Sequence, residues 1–114
     1  MANKKNPLKL NPLQLRTLTL LQALAQVPEA AAEGPQTGEI TISRFPQAHA
    51  DHFHLGDWVV MGRDATGLFN QAVWHALDRK GLARADWPNA VTLTAEGLVY
   101  DTGEARSILH RSGH

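Results

Sequence analysis

The sequence lacks cysteine, and this absence alone removes several classes of function. A chain without thiolates forms no disulfide framework, no cysteine-ligated zinc or iron–sulfur site, and no covalent intermediate on a cysteine nucleophile. Any metal ion would have to be held by histidine and carboxylate side chains. The sequence has 6 His and 11 Asp+Glu, so ligands of these types are present in number.

Net charge is missing as well, because 11 Lys+Arg balance 11 Asp+Glu over 114 residues. A neutral chain has no long-range attraction to phosphate or membrane surfaces, which excludes a uniformly basic nucleic-acid-binding protein. Positive charge is nevertheless concentrated at one end, since Lys4, Lys5, Lys9 and Arg16 precede the first acidic residue. We therefore expect residues 1–11 to form a basic N-terminal arm.

Long apolar runs are also absent. The stretch Leu18–Ala25 follows the basic start, but it is short and is interrupted by Thr19 and Gln22, which argues against a secretory signal. No run approaches the roughly 18 apolar residues that indicate a membrane-spanning helix. We therefore expect a cytoplasmic protein with no membrane partner.

Signatures of catalysis are equally scarce in this chain. It contains no glycine-rich phosphate loop, no nucleophilic serine elbow, and no helical pair of zinc-binding histidines with an adjacent glutamate. A length of 114 residues fits one domain and not two. We therefore expect a single non-enzymatic domain without a cofactor.

The first clear element is a helix over about residues 12–26. Asn11 is a good N-cap, and Pro12 suits the first helical position, where its missing N–H costs nothing. The apolar sector of this helix is wide, because Leu15 and Leu18 lie outside its centre. Such a helix is either central to the core or packs against a second copy of the chain. A homodimer through this helix is therefore one of the two predictions.

Period-two alternation of apolar and polar residues predicts antiparallel strands at 39–44, 52–61 and 91–101. Residues 28–38 contain two Pro and two Gly, which favours a flexible loop. Two interpretations fit residues 95–97: a three-residue hairpin loop, or a short helix capped by Thr94. We favour the hairpin, because Val99 and Tyr100 suit a strand.

A second helix is predicted over about residues 70–80, with Asn70 as its cap and Gly81 as its end. The chain is thus expected to form one α+β domain over residues 12–104, with both helices packed on an antiparallel sheet of hairpins, and a C-terminal tail at 105–114. The predicted core residues are the apolar side chains on the inner faces: Leu13, Leu20, Leu24, Ile40, Ile42, Phe53, Leu55, Val59, Met61, Phe69, Val73, Leu77, Leu93 and Leu98.

One part of the chain resembles a known family. Residues 77–82 read Leu-Asp-Arg-Lys-Gly-Leu at the end of the second helix, and residues 93–97 read Leu-Thr-Ala-Glu-Gly at the end of a strand. Over residues 72–97 this pattern resembles the second half of a winged-helix domain. The family places another helix before its recognition helix, whereas we expect residues 64–69 to be a short, glycine-containing connection.

The resemblance implies a mode of DNA binding. In the family, the polar face of the recognition helix enters the major groove while the hairpin wing contacts the backbone. Transferred to this sequence, the base-facing residues would be Asn70, Gln71, His75 and Arg79, and the phosphate-facing residues would be Lys80 and Arg84. Double-stranded DNA is therefore the expected partner, and a regulatory role the expected function.

Histidines concentrate in a second region. His52 and His54 alternate with apolar residues on a strand, so both side chains point to the same side and are close enough to hold one ion. His49 or Asp57 would supply a third ligand. This spacing gives a weaker hypothesis, a histidine-based metal site.

A third hypothesis is a protein-interaction or homodimerisation module that does not bind DNA. The sequence has three tryptophans, Trp58, Trp74 and Trp87, and indole side chains often anchor interfaces. Trp74 falls at the border of the apolar sector of its helix, where partial exposure is expected.

Overall fold

The computed structural model describes residues 6–47 and 50–111, which fold into helices and two antiparallel sheets. This architecture confirms the predicted α+β class. The helices are α1 (Pro12–Leu24), α2 (Gln71–Arg79), α3 (Ala95–Val99) and α4 (Ala105–Ile108). The strands are β1 (Ala31–Glu33), β2 (Ile40–Ile42), β3 (His52–Leu55), β4 (Trp58–Met61), β5 (Ala83–Asp86), β6 (Ala90–Leu93) and β7 (His110–Arg111).

Helix α1 begins where the sequence predicts. Asn11 accepts a hydrogen bond from the Gln14 backbone N–H at 2.8 Å, and the Gln14 side chain accepts one from the Asn11 N–H at 3.0 Å, which completes a capping box. The five residues from Thr17 to Leu21 are all buried. Because successive helical residues are 100° apart, five buried in a row mean that the middle of α1 is covered all round.

The buried middle of α1 decides between the two interpretations of its wide apolar sector. Leu18 is fully buried and Leu15 packs against the core. These two residues suggested a homodimer, but here they have partners within the chain. Helix α1 is central to the core.

The larger sheet has four strands in the order β1-β2-β6-β5, all antiparallel. Its inner face presents Ile42, Val91 and Leu93, which are fully or almost fully buried. Helix α2 leads directly into the β5–β6 hairpin and packs on β5. Of the strands in this sheet, β5 was not predicted, because Ala83–Asp86 carries only alanine and charged residues.

The smaller sheet has the order β3-β4-β7, with Phe53 of β3 opposite Val60 of β4. After β4 the chain passes through two 3₁₀ helices, Gly62–Asp64 and Thr66–Phe69, before α2 begins. The second of these packs against α1. Residues 64–69 are therefore a short helical connection.

Three expectations about loops and ends are wrong. Residues 28–38 are not wholly a loop, because β1 lies within them and pairs with β2. The described part of the C-terminal tail, residues 105–111, forms α4 followed by β7, which pairs with β4. Residues 95–99 form α3 and not a hairpin, so the alternative with Thr94 as cap is the correct one.

Helix α3 is fixed by contacts with residues distant in sequence. Thr94 Oγ1 accepts a hydrogen bond from the Gly97 N–H at 3.0 Å, as an N-cap does. Gln22 of α1 donates from Nε2 to the carbonyls of Gly97 and Tyr100, both at 2.9 Å. These two bonds hold α3 against α1 and explain why local strand propensity at Val99 and Tyr100 did not decide the structure.

The predicted core is largely correct. Of the predicted residues, those that are buried are Leu20, Leu24, Ile42, Phe53, Leu55, Val73, Leu77 and Leu93, and those that are partly buried are Leu13, Ile40, Val59, Met61 and Leu98. Phe69 is wrong, since 51% of it is exposed and Leu68 is buried instead. Trp74 was expected at a border, yet it is only 2% exposed and its Nε1–H donates to the Leu68 carbonyl at 2.9 Å.

The N-terminal arm is anchored over the residues that the structure describes. Asn6 bonds the backbone of Leu10, and the Tyr100 hydroxyl donates to Asn6 Oδ1 at 2.7 Å and accepts from the Leu8 N–H at 3.0 Å. Lys4 and Lys5 lie outside the described residues. No helix within residues 6–47 and 50–111 is long and apolar enough to cross a membrane.

Replacing Gly97 with alanine is expected to destabilise the protein by about 3 kcal/mol, because the new Cβ would overlap the Leu82 carbonyl oxygen. The matched control is Gly81→Ala, where φ is +78° but no heavy atom lies within 4 Å of the added Cβ. Its cost should be nearer about 1 kcal/mol, for the left-handed backbone alone. Urea unfolding measures both, and equal losses would contradict close packing at Gly97.

Candidate nucleic-acid interface

The outer face of α2 collects three of the residues predicted to contact bases. Gln71, His75 and Arg79 are exposed and follow one another at intervals of four residues, so they form a stripe along the helix. Gln71 Nε2 lies 3.3 Å from His75 Nε2. The opposite face, with Val73, is buried. The structure thus presents a polar stripe of hydrogen-bonding side chains to solvent.

Asn70, the fourth predicted base contact, has a different role in the structure. Its side-chain oxygen accepts hydrogen bonds from the backbone N–H groups of Ala72 at 3.0 Å and Val73 at 3.4 Å. This is the N-cap of α2, as the sequence also predicted. The oxygen that would contact a base is therefore used to begin the helix.

Asp78 follows the stripe, where its negative charge would oppose binding to a polyanion. Its Oδ2 accepts a hydrogen bond from the backbone N–H of Ala85 at 2.9 Å, which ties α2 to the β5–β6 hairpin. The carboxylate therefore points toward the hairpin. Nothing near Asp78 in the sequence signals this partner in the next strand.

Lys80 lies at the C-terminal end of α2, beside the N-terminal arm. Its Nζ donates to the Leu8 carbonyl at 2.8 Å, and the ammonium group keeps further N–H donors for other acceptors. The neighbouring Lys9 is exposed. Lys9, Arg79 and Lys80 thus gather positive charge at one end of the helix, and we call these three residues the basic end of α2.

Arg84, the second predicted phosphate contact, is paired within the protein. Its two terminal nitrogens donate to the two carboxylate oxygens of Glu39, at 2.6 Å and 2.5 Å. The Glu39 side chain is only 7% exposed, whereas that of Arg84 is 43% exposed. The hydrogen bond from Arg84 lowers the pKa of Glu39 below its ordinary value, and Glu39 raises that of Arg84. The pair therefore links β5 to the residue before β2, and the charge of Arg84 is balanced by Glu39.

The β5–β6 hairpin follows α2 and packs against it. Trp87 in its turn packs edge-on against Trp74 of α2, with ring centroids 4.6 Å apart. Pro88 and Asn89 at the tip are exposed. The hairpin is therefore held rigidly against the helix while its tip faces solvent.

The histidine cluster is only partly assembled. His52 and His54 lie together as predicted, with 3.2 Å between their Nε2 atoms. His49 lies outside the described residues. Asp57 instead lines a cleft of about 420 Å³ with Gln26 and Glu29, on the other side of the turn. Among the residues that the structure describes, no three metal-ligating side chains form a group.

Comparison with family models, curated proteins and solved structures gives no match to this chain. The function of this protein is therefore inferred from its residues and their geometry alone.

Substituting Asn70 by alanine should destabilise the protein by about 1 kcal/mol, the usual effect of losing an N-cap. Asn70→Asp keeps a capping oxygen and should retain most of the stability. Thermal unfolding of the three proteins tests this assignment. Full stability in Asn70→Ala would contradict the capping role and return Asn70 to the set of candidate base contacts.

The Glu39–Arg84 pair predicts a pH dependence of stability. Because the pKa of Glu39 is lowered in the folded state, its contribution is fully present above the ordinary glutamate pKa of about 4.3 and is lost as pH falls through the lowered value. Glu39→Gln should remove that part of the acid sensitivity. Arg84→Gln should remove it too, since the carboxyl then loses the partner that lowers its pKa. Urea unfolding between neutral pH and about pH 3 measures the effect; profiles parallel to the parent would contradict it.

Proposed function

We propose that this protein is a small winged-helix-like module that binds duplex DNA through the outer face of α2. The observation that carries the proposal is topological. An α-helix leads into an antiparallel hairpin whose inner strand also pairs with an earlier strand, giving the order β2-β6-β5. The resemblance at residues 72–97 implies a helix followed by a hairpin wing; β5 and β6 form a hairpin directly after α2, earlier in the chain than the hairpin predicted from the sequence.

The packing of α2 supports this proposal. The helix buries Val73, Trp74 and Leu77 against α1 and β5 and leaves its polar stripe outward. A helix presented in this way has the width and the side chains to enter a major groove. The family has a full helix before its recognition helix, whereas here a four-residue 3₁₀ helix, Thr66–Phe69, precedes α2 and packs on α1. The β3–β4 hairpin is an addition to that plan.

The chemistry of the exposed side chains also favours DNA. Gln71 and Arg79 are donors of the kind that contact base edges, and the basic end of α2 suits phosphate. Few cations are available, because Arg84 is paired with Glu39. Non-specific affinity should accordingly lie at the weak end of the usual range of about 10⁻⁴ to 10⁻⁶ M, and log K should fall with log salt by only about 0.9 for each phosphate contact.

Fluorescence anisotropy with a labelled duplex tests the proposal. The double variant Gln71→Ala, Arg79→Ala is expected to bind about 10-fold more weakly than the parent, because it loses two donors. Lys80→Ala should lower the slope of log K against log salt by about 1, because it removes one phosphate contact. Arg106→Ala, an exposed arginine on α4, is the matched control and should bind as the parent does.

Two outcomes would overturn the proposal. One is the absence of binding by the parent at about 50 mM salt, where phosphate contacts are strongest. The other is a loss of DNA affinity in Arg106→Ala as large as that in the Gln71→Ala, Arg79→Ala variant. Binding would then depend on any exposed arginine and not on the outer face of α2. Circular dichroism of each variant separates lost binding from lost folding.

The second candidate function is a protein-interaction module, and it has a specific observation in its favour. Phe69 and Val99 are large apolar side chains that are 51% and 79% exposed. Exposed apolar side chains of this size are typical of protein–protein interfaces when they form a continuous patch with other apolar side chains. Phe69 adjoins Phe53, with ring centroids 6.1 Å apart. If the parent does not bind DNA, this is the function that remains.

A further inference from the structure

The outer face of β3 carries two imidazoles that are arranged for joint binding. The strand alternates, so Phe53 and Leu55 are buried while His52 is half-buried and His54 is exposed. The two imidazole rings stand edge to face, with centroids 4.9 Å apart and their Nε2 atoms 3.2 Å apart. The two Nε2 atoms are therefore close enough to bind one ion between them.

The separation of the two nitrogens matches a pair of ligands on one metal ion. Zinc binds imidazole nitrogen at about 2.0–2.1 Å with tetrahedral angles, which places two such nitrogens about 3.3 Å apart. The observed 3.2 Å agrees with that value. In the metal-free protein the same distance suits one imidazole donating to the other, so an ion would replace a single shared proton.

Asp51 supports the same arrangement. Its Oδ1 lies 3.4 Å from His52 Nδ1, on the side of the ring away from His54. A proton on Nδ1, held by this carboxylate, leaves the lone pair on Nε2, which is the form that binds a metal. A carboxylate behind a ligating histidine is the usual outer partner of such sites.

The position of β3 leaves room for further ligands. It lies at the edge of its sheet in the order β3-β4-β7, with His52 opposite Met61 and His54 opposite Val59. Among the residues described, no third histidine or carboxylate joins the pair in a group of three.

We propose that His52 and His54 together bind one divalent transition-metal ion, zinc in the first place, through their two imidazole nitrogens. Imidazole donors favour zinc, copper and nickel over calcium and magnesium, which prefer oxygen ligands. The site is separate from the outer face of α2, so this inference does not depend on DNA binding.

Titration with zinc chloride tests the site, using a chain without any added histidine tag. Calorimetry should give one ion per chain, and the ring protons of His52 and His54 should shift in NMR spectra while those of His75 do not. His52→Gln and His54→Gln should each weaken binding by at least about 10-fold. His75→Gln, which removes an exposed histidine from α2, is the matched control and should bind zinc as the parent does.

A second readout is thermal stability. An ion that binds only the folded protein should raise the unfolding midpoint of the parent by about 10 °C at 100 times its Kd, and should leave His54→Gln unchanged. Absence of NMR shifts at stoichiometric zinc would overturn the proposal. So would undiminished affinity in both His52→Gln and His54→Gln, because the ion would then lie elsewhere. Circular dichroism checks that each variant is folded.

Discussion

The structure depends on one constraint, that the middle of α1 is buried on every side. A helix in this position needs partners all round, and the chain supplies them from α2, α3, α4, β3 and the second 3₁₀ helix. Two threonines lie in the buried stretch, and the hydroxyl of Thr19 is satisfied by the Leu15 carbonyl at 2.8 Å and by Thr102 at 2.5 Å. Burial of the Thr19 hydroxyl is tolerated because it is hydrogen-bonded, and its bond to Thr102 links α1 to the segment before α4.

The same constraint orients α2. One face of this helix packs against α1 and β5, so the opposite face is necessarily the polar one. Hydrogen bonds at the C-terminal end of α2 then fix its direction. Asp78 accepts one from the β5–β6 hairpin, and Lys80 donates one to the N-terminal arm. The stripe from Gln71 to Arg79 is thus presented by a rigid support, which is the property that a recognition surface requires.

Sequence reasoning succeeded where the signal is local. Asn11 with Pro12, and Asn70, mark helix starts by their own chemistry, and the alternation at residues 52–55 is sufficient to place His52 and His54 together. It failed where distant contacts decide. Helix α3 is stabilised by Gln22, which donates hydrogen bonds to the carbonyls of Gly97 and Tyr100. Strand β5 forms because it pairs with β6, although the residues of β5 have little strand preference. The core position predicted for Phe69 is wrong by one residue. Residues 66–69 form a 3₁₀ helix, whose side-chain spacing differs from that of the α-helix that follows it.

The balance of charge acquires a specific meaning from the structure. Part of this balance is local, because the Glu39 carboxylate pairs with the Arg84 guanidinium. The exposed cations described at the C-terminal end of α2 are those of its basic end. Under the proposed function, so few phosphate contacts release few counterions and give little non-specific affinity. Discrimination between sequences must then come from the side chains of the stripe at the base edges, each such contact contributing about 1–3 kcal/mol. A neutral protein of this kind would bind DNA through specific contacts with base edges and not through non-specific attraction to the phosphate backbone.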